Sequence, residues 1–435
     1  MAADGIGSTR KTQHTSFGSQ VRPFVSRNRW ILLILSLAFI LRVAWLLYAQ
    51  PVPVSDFNDY RTLAEGMLDH GQFGYPEPTS FFLPVHPTLV AALMLVSRAD
   101  LWLGFGMVLV STASCLLVYL VARHVLVGER ASLIAAVVFA VFPAFVLYSP
   151  VLATEHLFIA LILLAMLAVV TLPGATGWRG LAVGLLLGLA ILTRGEALFY
   201  IPAFLFYVWV GRAIPRRIRW RQSALIIIGV AVVLAPWYIR NTVVVSGDTG
   251  LSASAGVNFY FAHNGSGFYG AYTEGSPLQG LSAEDASREG WRLAFEYLGA
   301  NPLRLVKDTR RATQELFADP DYALFLSTRD VRFRGDPDHF DKALRFTTSL
   351  GQVLRLSATL LIAAAVLSLL LVPLWTRPLA TLILPLIVSS WVLRTVIYWA
   401  IPRYGYFISV MLVFFSALTI DALIGVARRE DHAEG

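Results

Sequence analysis

The stretch WILLILSLAFILRVAWLLYAQPVPVSDFNDY, residues 30–60, decides how the rest of the chain is read. Its first part, Trp30 to Ala49, is apolar apart from Arg42. At about 20 residues it matches the length a helix needs to cross the hydrocarbon core of a bilayer. Pro51 and Pro53 then carry the chain out of the membrane, and two carboxylates, Asp56 and Asp59, follow at once. An acid held at a membrane surface is placed for chemistry on a substrate that is itself anchored in lipid.

Composition extends this reading to the whole chain. Of its 435 residues, 56% are hydrophobic and 14% charged, whereas soluble domains carry about 25% charged residues. The chain therefore reads as an integral membrane protein. Basic residues precede Trp30 (Arg10, Lys11, Arg22, Arg27 and Arg29), and no small-residue cleavage site follows the first apolar stretch, so that stretch is expected to be retained. The single cysteine, Cys115, excludes intramolecular disulfides and gives no basis for redox chemistry. The formal net charge of +7 resides largely in short loops between apolar runs. Membrane topology explains such charges better than nucleic acid does, and no nucleic-acid partner is expected.

Ten runs approach spanning length: 30–49, 101–122, 131–148, 155–172, 180–193, 196–211, 223–241, 352–374, 378–398 and 404–426. The run from Pro87 to Val96, about ten residues long, suits an interfacial or re-entrant helix instead. Arg123, Arg130, Arg179, the group Arg212/Arg216/Arg217/Arg219/Arg221, Arg377, Arg428 and Arg429 fall on the side of the N-terminus. The positive-inside rule then puts both termini in the cytoplasm. The expected organisation is a basic cytoplasmic tail over 1–29, a transmembrane domain over 30–426 and a cytoplasmic tail over 427–435. Extracytoplasmic segments cover 50–100 and 242–351, and the setting is the plasma membrane of a bacterium or archaeon.

Within the first segment Phe57, Tyr60, Leu63, Ala64, Met67 and Leu68 recur at helical spacing, with acids on the other side, which predicts an amphipathic helix lying on the membrane. In the second, Gly247 to Gly280 reads as an irregular loop. Trp291, Ala294, Phe295 and Leu298 mark another amphipathic helix stopped at Asn301-Pro302, and Leu303 to Phe317 is also expected to be helical.

The same alternation of sides places Arg194, Arg240, Arg394 and Arg403 at the outer membrane face, on separate helices. An arginine near a helix end often does no more than reach the headgroups. Four on one side, against the positive-inside bias, suit a phosphate or pyrophosphate, because a guanidinium grips phosphate oxygens with two parallel hydrogen bonds. Arg42 lies deeper and is expected to make a structural contact. Glu155, in Ala153-Thr154-Glu155-His156, joins Asp56 and Asp59 on the outer face. The plain alternative for Asp59 and Glu155 is compensation of a helix dipole. Asp56, where the chain leaves the membrane, is the better candidate for a general base. His86 and His263 are the outer histidines and are expected to make polar or substrate contacts. A divalent metal stays open, although no close ligand spacing supports one.

The order of these residues resembles a known family. Asp56-Phe57-Asn58-Asp59-Tyr60, Leu63-Ala64-Glu65-Gly66 and Phe82-Leu83-Pro84-Val85-His86-Pro87 look like the first outer loop of GT-C glycosyltransferases. Thr154-Glu155, Leu192-Thr193-Arg194-Gly195-Glu196, Ala235-Pro236-Trp237-Tyr238-Ile239-Arg240-Asn241, the segment from Gly256 through Asn264-Gly265, and Arg403-Tyr404 continue the likeness. The chain is most similar to the family 39 and ArnT-like group over about residues 30–425. The resemblance implies an all-α polytopic membrane protein, a GT-C type bundle of about ten transmembrane helices with amphipathic interfacial helices in two outer loops. It also implies a polyprenyl-phosphate-sugar donor and a lipid, glycan or protein acceptor. Asp56 would be the base, Glu155 a second active-site acid and Arg403 a donor-phosphate contact. Asp59, His86, Arg194, Arg240, His263, Asn264, Arg394 and Tyr404 complete the expected substrate-binding set. Two departures stand out: the usual Pro-Pro-Gly-Tyr-like segment reads Pro84-Val85-His86-Pro87, and no large soluble domain follows the last span. A flippase of lipid-linked saccharides is the alternative, but transporters gather ionisable groups near the bilayer midplane and show repeated halves. Neither pattern is visible here.

Overall fold

The structure, a computed structural model, describes residues 17–74, 76–171, 178–211, 215–245, 250–265, 275–318, 337–398 and 400–433. Each of the ten apolar runs is largely helical over its described residues. Helix α1 is Phe17–Ala49 and α2 is Asp56–His70, followed by α3, Val85–Met94, and α4, Asp100–Val125. Next come α5, Glu129–Val141, α6, Pro143–Leu147, α7, Thr154–Val170, and α8, Arg179–Ile191. The run 196–211 opens as the 3-10 helix Gly195–Tyr200, continues as α9, Ile201–Phe206, and closes in a π turn, Tyr207–Gly211. Helix α10 is Arg216–Val244, α11 is Ser254–Ala262, α12 is Ala283–Ala300 and α13 is Arg304–Ala318. Helix α14, Pro337–Leu367, and α15, Leu384–Val392, which has a π turn at each end, precede α16, Gly405–Ala433.

Among the described residues, six stretches are long and apolar enough to cross a membrane by length and composition: Asn28–Ala49, Asp100–Val125, Arg216–Val244, Ser349–Leu374, Leu379–Ile397 and Pro402–Ala427. The other four predicted spans are shorter as regular helices. Contacts nevertheless show that they pass between the same two ends of the bundle. At one end Arg130 pairs with Asp421 and Arg179 donates to the Thr171 carbonyl at 2.6 Å. At the other Arg61 pairs with Asp100 and Arg194 with Glu155. Helix α7 is apolar on nearly every side and buried over most of its length, which marks a central helix.

One predicted span, 131–148, is broken. Phe142 takes the extended conformation ahead of Pro143, as residues before proline tend to. Pro143 has no amide for the Phe139 carbonyl, and the break separates Ala144 from Ala140. Arg42, wholly buried, fills the gap. It donates to the carbonyls of Phe139 at 3.1 Å and Ala140 at 3.0 Å, and to Ser111 Oγ at 2.9 Å. A cation in the bundle interior is thus held by backbone oxygens that would otherwise be orphaned.

Helices α8 and α10 run parallel and touch backbone to backbone. A Cβ at Gly184 would lie 2.9 Å from the Cα of Gly229, and one at Gly188 would lie 2.6 Å from the Cβ of Val233. The Gly180 amide donates to Gln222 Oε1 at 2.8 Å across the same seam. Small residues at this spacing let two spans pack at close range.

Between the spans, the described residues differ from expectation at Ser254–Ala262 and at Pro337, where a helix begins ahead of the span expected from 352. Ser254–Ala262, inside the stretch read as an irregular loop, is helix α11. Its glycine is a packing device, because Gly256 lies so close to α12 that a Cβ there would sit 2.6 Å from Trp291 Cδ1. The two outer segments are tied together by Ala253 N to Ser80 O at 3.1 Å and Ser252 Oγ to Phe81 O at 2.7 Å. Both therefore cap the same end of the bundle.

Candidate functional site

That end carries a cluster of three arginines and three acids from five parts of the chain. Ser55 takes φ +52°, a conformation that costs a non-glycine residue about 1–3 kcal/mol. The resulting bend starts α2 at Asp56, which brings its carboxylate to Arg403. Arg403 Nη2 donates to Asp56 Oδ2 at 2.7 Å, with the Asp56 side chain 40% exposed and that of Arg403 11%. Glu155 lies at the start of α7, almost fully buried. Its Oε1 forms ion pairs with Arg194 Nη1 at 2.9 Å and Arg403 Nε at 3.6 Å. Arg194 also donates to Thr154 Oγ1 at 2.8 Å and, from Nε, to Glu196 Oε1 at 3.0 Å. The second oxygen of Glu196 pairs with Arg394.

The ring of Tyr404 lies among the three cations. The guanidinium carbons of Arg394, Arg403 and Arg194 are 3.9, 5.2 and 5.3 Å from its centroid. The electron-rich face of an aromatic ring attracts each of them, which offsets their mutual repulsion. Phe57 adds a second ring, 5.5 Å from Arg403. The six charged groups sum formally to zero, so each buried charge has an opposite one to offset part of the cost of leaving water.

The other expected site residues lie outside the cluster. Arg240 is bonded to the carbonyls of Thr79 at 2.7 Å and Phe73 at 3.0 Å, and stacks on Trp237 at 4.9 Å. It clamps the first outer segment to the end of α10. His86 is fully buried, its Nε2 3.3 Å from the Leu152 carbonyl and its ring edge-on to Tyr60. Burial lowers its pKa to about 4, with the Leu152 contact opposing, so it is neutral at physiological pH. His263 Nε2 meets the Val396 carbonyl at 2.9 Å and joins α11 to the turn that carries Arg394; burial lowers its pKa too. Asn264 donates to the Tyr260 carbonyl at 2.9 Å, at the end of α11. Asp59 is exposed one turn beyond Asp56, and its pKa is raised by partial burial and by the Asp56 charge.

Among the described residues no group of three or more His, Cys, Asp or Glu side chains is placed to hold a metal ion. Asp56, Glu155 and Glu196 each face an arginine, a set of acids that fits a guanidinium network rather than a metal ion.

Glu196 was not singled out from sequence. It lies two residues from Arg194, and its reach to Arg394 is visible only in the fold. Glu196→Gln leaves two buried guanidiniums short of a carboxylate. The loss of one partner of a buried pair costs about 3–5 kcal/mol. A fall in the thermal midpoint of the detergent-purified protein is expected, and an unchanged midpoint would show that Arg394 finds another partner.

Helical legs passing between two ends, a charged cluster at one of them and amphipathic helices over it make the chain an all-α polytopic membrane protein, and the solved structures it is similar to give the bundle as GT-C type. Comparison with known proteins gives the particulars. Residues 78–239 match the model of a family described as dolichyl-phosphate-mannose-protein mannosyltransferase. Among solved structures, the chain is similar to the oligosaccharyltransferase AglB from Archaeoglobus fulgidus, solved with an inhibitory peptide and a dolichol-phosphate, at TM-score 0.53 and 16% identity over 94% of this chain and 52% of that one. The apo form of the Archaeoglobus fulgidus oligosaccharyltransferase gives TM-score 0.52 and 15% identity over 93% and 52%. ArnT from Cupriavidus metallidurans bound to undecaprenyl phosphate gives TM-score 0.45 and 14% identity, over 90% and 78%. The chain thus spans about half the length of the oligosaccharyltransferases whose fold it shares. A search of curated proteins returned no match.

Proposed function

We propose that this protein transfers a sugar from a polyprenyl-phosphate donor to an acceptor hydroxyl, with inversion at the anomeric carbon and Asp56 as the general base. The observation that carries this reading is the position of the charged cluster beside an apolar cleft. The cleft is lined by Phe145, Leu316, Phe317, Leu361, Ile362 and Tyr406, with Arg403 in its wall. A polyprenyl chain fits such a lining, and its phosphate would then meet Arg403. The dolichyl-phosphate-mannose description of the family matched over 78–239 and the dolichol-phosphate in AglB support a lipid-linked donor.

In the reaction the acceptor oxygen bonds to the anomeric carbon as the bond from that carbon to the phosphate oxygen breaks. The hydroxyl proton passes to Asp56, and polyprenyl phosphate leaves with the bonding electrons. Arg403 contacts the base now and would share itself with the phosphate, so one guanidinium links the two charges that change in the transition state. Arg394 and Arg194 add preorganised positive charge. Glu155, buried between Arg194 and Arg403, serves as their counter-ion rather than as a second base. The charge pattern of the loops supports an orientation with this end of the bundle outside the cytoplasm and both termini within it.

The test is transfer of label from a pool of polyprenyl-phosphate sugars in membranes holding equal amounts of wild type and Asp56→Asn protein. Transfer by wild type alone supports the reading. Equal transfer by both removes Asp56 as the base, and no transfer with any donor favours a carrier of lipid-linked saccharides.

A further inference from the structure

Helix α13 lies across the end of the bundle that carries the charged cluster, and its two faces have opposite characters. Leu305, Thr309, Ala312, Thr313 and Leu316 point inward and are partly or fully buried. Leu316 packs with Ala400 and Ile408, and Trp391 Nε1 donates to Thr313 Oγ1 at 3.2 Å. This face is fixed to the turns that carry Arg394 and Arg403.

The outer stripe is different. Leu303, just ahead of the helix, then Val306, Lys307, Arg310, Gln314 and Phe317 share one side of it, through neighbours three or four apart, and all are exposed. Leu303 is 81% and Val306 71% exposed. The stripe thus mixes three apolar side chains with two cations and holds no carboxylate. Arg311, on its flank, is occupied by Glu315 at 3.2 Å.

We propose that this outer stripe of α13 binds the anionic headgroup layer of the membrane, Leu303, Val306 and Phe317 entering the acyl boundary while Lys307 and Arg310 meet lipid phosphates. Charge complementarity selects an anionic surface, and the apolar trio selects a lipid one over a soluble polyanion, which would leave those side chains in water. The height of α13 fits, because its inner face touches Trp391 and Tyr404, at the ends of two spanning stretches. The inward face also ends in the wall of the apolar cleft, through Leu316, with Phe317 at the edge shared by the cleft and the outer stripe. Lipid held on one face would therefore steady a wall of the cleft on the other. The binding itself does not rest on the proposed sugar transfer.

The experiment uses the full chain carrying Val306→Cys, labelled with an environment-sensitive fluorophore; the native Cys115 is buried and slow to react. The protein is placed in nanodiscs of phosphatidylcholine alone or with phosphatidylglycerol added. A blue shift that appears with the anionic lipid and disappears in Lys307→Glu/Arg310→Glu is the expected result. Both substitutions are on the exposed face, so the fold tolerates them. Water-like emission in both nanodiscs would overturn the proposal, as would an equal blue shift in both. A shift produced in phosphatidylcholine nanodiscs by a soluble sulfated polysaccharide would overturn it in favour of a polyanionic partner.

Discussion

Asp56→Asn is expected to slow sugar transfer by about 10²–10⁴-fold, the usual contribution of a positioned general base. Asparagine keeps the size of the side chain and can still accept a hydrogen bond from Arg403, so the bend at Ser55 and the stack on Phe57 should survive. What disappears is the ability to take a proton from the acceptor. Asp56 is also the only acid of the three in the cluster with substantial exposure, at 40% against 5% for Glu155 and 6% for Glu196. An acceptor arriving from the aqueous side can reach it and not the others. Glu155→Gln should behave differently. It removes a buried counter-ion, so lower stability is expected together with lower activity, and a pair of variants compared by thermal midpoint and by rate separates the two roles. A loss of less than about threefold in Asp56→Asn, at equal protein abundance, would be too small for a base and would move the assignment elsewhere.

Gly184→Leu is expected to prevent folding altogether. Helices α8 and α10 meet there with no side chain between them, and a Cβ at Gly184 would fall onto the Ile226 carbonyl, with the Cα of Gly229 at 2.9 Å. Neither obstacle is the flexible end of a side chain. Both belong to helical backbone, which can yield only if the helices separate. Separation would open the seam over its whole length and break the bond from the Gly180 amide to Gln222. The cost should exceed about 4 kcal/mol, in the far tail for single substitutions. Detergent extracts should show aggregate in place of the monodisperse size-exclusion peak of the wild type. A normal peak would mean that the two helices are not packed this closely. Leu189→Ala, at an exposed position on the same helix, serves as the control.

Much of the fold could be read from the chain because apolar runs are long-range signals that survive local irregularity. The run 131–148 shows the limit. Its hydropathy is continuous across Phe142-Pro143, so the pattern shows one helix where backbone chemistry makes two. Helix α11 differs for the opposite reason: Gly, Ser and Asn are loop residues by propensity, and here Gly256 serves close packing against α12, which only tertiary structure reveals. The alternation of sides put Arg194, Arg394 and Arg403 at one level, and in the fold they surround Tyr404. The same argument put Arg240 with them, yet its partners are the carbonyls of Phe73 and Thr79. Carbonyl oxygens belong to every residue, so no sequence pattern marks the ones an arginine will seek. His86 and His263 were expected to meet substrate, yet each turns Nε2 to a backbone oxygen of a remote segment, a partner that no sequence pattern marks.

The seal that Arg42 makes at Phe142-Pro143 has a consequence for how this chain can change over time. Without the proline, the helix could run on and serve the Phe139 and Ala140 carbonyls with its own amides, leaving Arg42 a cation with little to hold in an apolar interior. Without the arginine, the broken helix would keep its proline and expose those oxygens to hydrocarbon. Each single change is a step downhill in fitness, while the two together exchange one self-consistent arrangement for another. Positions 42 and 143, far apart in sequence and on different helices, are thus expected to be inherited as a unit, so that a lineage that lost one would soon be found to have lost the other.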